Sequence, residues 1–115
     1  HGREIIVRIK VWDDFAGGDG LETEYNGKEL SEIIEDWMAD NTVEGRFNTS
    51  DATENMMLFE QVRIPLFEEK DGKARAIQAN GWVRKLQKYL KDSFQIESKL
   101  MMQGLGQAQL ILGGK

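Results

Sequence analysis

The sequence predicts an α+β fold: a small antiparallel sheet with two main helices on one face. Three observations carry this expectation. Residues 4–12 hold the β-branched run Ile5-Ile6-Val7 and then alternate apolar and basic through Val11. Two separate segments repeat apolar residues at helical spacing. Short strand-like runs, punctuated by glycine turns, lie between and after them. The order reads β-α-β-β-α-β-β, with one ambiguous segment after the first helix. A βαββαβ series with an extra strand suggests a ferredoxin-like sandwich; the last five elements alone would suit a β-grasp-like arrangement, the alternative.

In the first strand, Val7, Ile9 and Val11 face a core and Arg8 and Lys10 face away. It stops at Asp13-Asp14, before the loop Ala16-Gly17-Gly18-Asp19-Gly20. Asn26-Gly27 signals a turn. Residues 28–39 then place Leu30, Ile33, Ile34, Trp37 and Met38 on one helical stripe, with Glu29, Glu32, Glu35 and Asp36 off it. Residues 40–49 read as polar and irregular. Asp51 and Glu54 have capping-box spacing, so Met56-Met57-Leu58-Phe59 reads either as a short helix or as the start of the next strand.

Residues 61–69 read as a strand with Val62, Ile64 and Leu66 on one face. Pro65 cannot donate to a ladder, which places this strand at an edge or on a bulge. Lys70-Asp71-Gly72-Lys73 predicts a hairpin to a partner strand over 73–78. From Trp82 the helical spacing returns, with Val83, Leu86, Tyr89 and Leu90 on the stripe and Arg84, Lys85, Lys88 and Lys91 on the wet side. A closing hairpin over 94–102 and 107–112 completes the chain. The expected domain is 3–113, with His1-Gly2 as the remnant of an expression tag and residues 114–115 as a flexible end.

Composition narrows the chemistry. The 115 residues include no cysteine and one histidine, His1. Disulfides, thiolate metal sites and thiol nucleophiles are thereby removed, and His-based triads with them. No enzyme, cofactor or metal site is expected. No apolar run approaches the roughly 20 residues that cross a bilayer, so no membrane partner is expected either. Small secreted domains usually need disulfides, which makes the cytoplasm the expected location.

The loop from Asp13 to Glu24 matches an EF-hand at its first, sixth and twelfth positions. Phe15 and Gly17 occupy the third and fifth, where oxygen ligands are needed, so the match fails. Charge is divided along the chain. Residues 1–60 carry 5 basic and 15 acidic residues, a net of −10; residues 61–115 carry 10 and 5, a net of +5.

These features lead to a non-catalytic protein-binding or regulatory module. It would act through an acidic helix face (Glu29, Glu32, Glu35, Asp36), an exposed sheet edge with Phe67, or both, on another protein or on a second copy of itself. The runner-up is a nucleic-acid binder using Arg84, Lys85, Lys88 and Lys91. A small metal-dependent enzyme using the acidic loop ranks third.

Overall fold

A computed structural model describes residues 2–12, 15, 19–102, 104 and 106–113. The β-branched N-terminal run forms β1 (Arg3–Val11). A two-rung hairpin, β2 (Glu24–Tyr25) and β3 (Lys28–Glu29), turns at Asn26-Gly27, both with positive φ. It leads directly into α1 (Leu30–Asn41), which buries the predicted stripe of Leu30, Ile33, Ile34, Trp37 and Met38. The helix ends where Asn41 and Thr42 side chains take over its last carbonyls, Nδ2 to Trp37 O and Oγ1 to Met38 O, both at 2.8 Å.

The polar segment that follows is a strand, β4 (Asn48–Ala52), paired antiparallel with β5 (Met56–Ile64). No helix starts at Asp51; Thr53 instead closes the β4–β5 turn, its N–H donating to Met56 O at 2.8 Å. A bulge interrupts β5, where Gln61 has φ 52. Its extra residue shifts the alternation, so Met57 and Phe59 share the buried side with Val62 and Ile64.

Residues 61–69 are therefore not one strand. The chain leaves the sheet at Pro65 and enters a separate hairpin, β6 (Phe67–Lys70) and β7 (Lys73–Ala76), across Asp71-Gly72. Next comes α2 (Ala79–Phe94), capped by Gln95 in the left-handed conformation. The chain closes with β8 (Ser98–Met102) and β9 (Gln107–Leu112).

The main sheet has the order β4-β5-β1-β9-β8. The α+β class and the two helices on one face match the expectation. The sheet is mixed rather than antiparallel: β9 runs parallel to β1, with Ile6 opposite Gln107 and Val11 opposite Leu112. In that arrangement β8, the strand following α2, lies outside at the edge. The predicted edge strand is also relocated. Its apolar half belongs to β5, between β4 and β1, and the true edges are β4 and β8.

One apolar cluster joins both helices to one side of this sheet. Ile5, Val7 and Ile9 of β1 meet Met57, Phe59, Val62 and Ile64 of β5, and Leu110 and Leu112 of β9. Trp37 and Trp82 stack tilted with ring centroids 4.8 Å apart, joining α1 to α2. Trp82 Nε1 also donates to Asn41 O at 3.2 Å. No helix among the described residues is long and apolar enough to cross a membrane.

Candidate functional site

With both helices on one side, the other side of the main sheet is left uncovered by any described element. Alternation decides what stands there. Ile5, Val7 and Ile9 point into the core, so Ile6, Arg8 and Lys10 point outward. Register then builds two rows across the sheet. One runs Asp51, Leu58, Arg8, Gln109, Met101; the other runs Met56, Lys10, Ile111, Lys99.

Each row mixes cations with apolar side chains. Ile6, Met56, Leu58 and Ile111 are half-buried by their neighbours alone, and none belongs to the core cluster. Met101 is 38% exposed, and Trp12, just beyond the end of β1, is 52% exposed. Gln109 lies beneath this layer at 8% exposure, with Nε2 4.0 Å from Met101 Sδ. Arg8, Lys10 and Lys99 have no ion pair among the described residues. A recess at one end of the face is lined by Ile6, Gln61 and Gln107 with Glu4 and Glu60. Both carboxylates already have partners: Arg63 binds Glu4 at 3.0 Å, and Ser50 Oγ donates to Glu60 at 2.5 Å.

The predicted acidic residues, Glu29 at the N-cap of α1 and Glu32, Glu35 and Asp36 within it, divide into two kinds. Glu35 is half-buried and accepts from Thr49 Oγ1 at 2.8 Å, which ties the helix to β4. Asp36 pairs with Lys28 at 2.7 Å. That carboxylate, by hydrogen bond and charge, holds the Lys28 pKa above its usual value, while burial raises that of neighbouring Tyr25. Glu29 and Glu32 remain exposed. On α2, Lys85 binds Glu68 at 2.6 Å and Lys91 lies 3.4 Å from Glu97, which leaves Arg84 and Lys88 exposed without ion pairs among the described residues.

Phe67 is 63% exposed and Leu66 is 45% exposed, at the root of the β6–β7 hairpin. The open sheet face itself was not among the predicted surfaces. The signal for it was in the sequence: Arg8 and Lys10 alternate with the core residues of β1, and a basic outer row on a central strand requires a face without helices.

Among the described residues, no three His, Asp or Glu side chains come together to hold a metal ion. Asp13 and Asp14 of the calcium-like loop, with Ala16, Gly17 and Gly18, lie outside the described residues.

Residues 3–113 match a family model described as "Domain of unknown function (DUF6175)". No curated protein and no solved structure matches the chain. Since the match spans nearly all of the sequence, the chain belongs to the DUF6175 family.

Proposed function

We propose that this domain is a non-catalytic, regulatory protein-binding module whose main contact surface is the uncovered face of its sheet. The observation that carries the reading is the pair of cross-strand rows in which Leu58, Met56, Ile111 and Met101 stand among Arg8, Lys10 and Lys99, cations without ion pairs among the described residues. Apolar side chains left at a surface gain free energy when a partner covers them, at about 25 cal/mol per Å2 of area removed from water. The interspersed cations give such a partner its orientation and its charge preference. Glu32 of α1 and Glu29 just before it add a second, acidic contact on the other side, and the lack of cysteine suits a reducing compartment such as the cytoplasm.

Site-specific photo-crosslinking in cells tests this. A photoreactive side chain at Leu58 or Ile111 is expected to capture a protein of defined mass, and one at exposed Asp92 is not. Equal capture at all three sites, or capture of nucleic acid alone, sinks the reading.

A nucleic-acid reading has one observation in its favour. Exposed Trp12 follows Arg8 and Lys10 at the same alternation, so a base could stack beside cations that bind phosphate. The net charge of −5 opposes it. Titration of labelled single-stranded DNA at low salt decides: tight binding that collapses as salt rises would promote this reading above the first.

A further inference from the structure

The two edges of the main sheet are built differently. At one edge, β4 is polar and bulged between Thr49 and Asp51, and its Ser50 side chain is bonded to Glu60. Bulges and charges of this kind discourage strand addition. At the other edge, β8 pairs with β9 through five consecutive residues with no register shift.

The phase of that ladder is set by Gly113 N–H, which donates to Glu97 O at 2.7 Å. The pairs Lys99–Ile111 and Met101–Gln109 therefore exchange the bonds to β9. Ser98, Leu100 and Met102 direct their backbone groups out of the sheet. Only one of these is occupied by a described side chain: Gln87 Nε2 donates to Ser98 O at 3.0 Å. The free stretch starts beyond that bond, at Leu100.

Cations flank the start of the β8 edge on both faces of the sheet. Lys99 stands on the outer face, in the row with Lys10. On the helix side, Arg84, Lys88 and Lys91 of α2 line an open groove together with Gln87, Glu97 and Ser98. Three cations against one carboxylate leave that groove positive. A second copy's β8 would bring the same cations opposite their equals, which costs free energy.

We infer that the β8 edge receives an extended acidic segment of another protein as a sixth strand of the sheet. Its backbone pairs with Leu100 and Met102, and its carboxylates alternate between Lys99 on one face and Lys88 with Arg84 on the other. The inference rests on the protein-binding reading above and adds the location and chemistry of the partner.

The probe is a fluorescent synthetic peptide repeating Val-Glu-Glu-Val, whose adjacent Glu side chains point to opposite faces of a strand, with a Val-Lys-Lys-Val repeat as control. The acidic peptide is expected to bind, to slow amide exchange at Leu100 and Met102, and to weaken as salt rises. Met102→Pro removes one outward N–H, a substitution that edge strands tolerate. It is expected to weaken binding by about tenfold, the effect of leaving one backbone acceptor unpaired. The double charge reversal K88E/K99E is expected to abolish binding while circular dichroism and melting stay near wild type.

Binding that protects β4 or the β6–β7 hairpin instead overturns the inference. So does binding indifferent to Met102→Pro, or a wild-type dimer that Met102→Pro dissociates. Failure of the peptide to bind, with continued protein capture at Leu58 and Ile111, overturns this inference alone. Loss of both overturns the protein-binding reading as well.

Discussion

Gly20 shows how much one residue can decide. Its φ is +55, and a Cβ there would run into the Glu54 carbonyl, the group that accepts from Leu21 N–H at 2.7 Å. That bond fastens the segment carrying buried Leu21 to the β4–β5 turn. Gly72 also has positive φ, +77, but a Cβ there would meet nothing within 4 Å. The two glycines therefore separate conformational strain from backbone collision. Gly72→Ala is expected to cost about 1 kcal/mol, the left-handed penalty alone. Gly20→Ala is expected to cost about 2–4 kcal/mol, because strain and a displaced hydrogen bond add. Urea unfolding of both variants checks the difference. Equal costs would mean that the Glu54 contact relaxes freely.

At the scale of elements, the β6–β7 hairpin is the exception to the shared core. All four residues of β7 are exposed, and neither strand pairs with the main sheet. The Ile77 N–H to Leu66 O bond at 3.0 Å only extends the hairpin's own ladder, and the Lys85–Glu68 pair that reaches from it to α2 is exposed. A lone two-stranded hairpin is marginal in water, and such a pair adds little. Amides over residues 67–76 are therefore expected to exchange far faster than those of the buried stripe of α2, by native-state hydrogen exchange. Phe67→Ser is expected to shift global stability by under about 0.5 kcal/mol, since little of its ring is buried. A larger loss would show that the arm is part of the cooperative unit.

The same scale shows what could be read in advance and what could not. Both helices were legible because Leu30-Ile33-Ile34-Trp37-Met38 and Trp82-Val83-Leu86-Leu90 carry their burial pattern locally. The strand β4, Asn-Thr-Ser-Asp-Ala, has no apolar alternation; pairing with β5 makes it a strand, and pairing is a tertiary fact. The β5 bulge hid the register of its own strand. It moves the buried set from odd to even positions, so Val62-Ile64-Leu66 read as one run that continues through Pro65, although the strand ends at Ile64. The open sheet face followed from combining an alternation that was visible with a topology that was not. The β8 edge depended wholly on β9, rather than β8, lying beside β1.

Across the whole molecule, the acidic helix and the basic helix lie toward opposite edges of the sheet. α1 is tied to β4 through Glu35 and Thr49, whereas α2 is tied to β8 through Gln87 and Ser98. The joint between these halves is Trp82, which stacks on Trp37 and donates to the end of α1. Trp82→Ala removes a side chain that is 2% exposed and is expected to cost about 3–5 kcal/mol, a large share of a small domain's total stability. Trp82→Phe keeps the aromatic contact but leaves Asn41 O without its donor, and is expected to cost less, about 1–3 kcal/mol. Denaturant melts of the two variants separate packing from the hydrogen bond. If they cost the same, the indole N–H, not the ring, joins the halves.

The parallel pairing of β1 with β9 also bears on how the protein is made. β1 is the first of these strands to leave the ribosome and the middle strand of the finished sheet, while β9 is the last. Ile6 must wait for Gln107 before its second neighbour exists. Until β9 emerges, one flank of this β-branched strand stays unpaired. Closure of the sheet therefore waits for β9 to emerge, and a chaperone that shields β1 would act in just that interval.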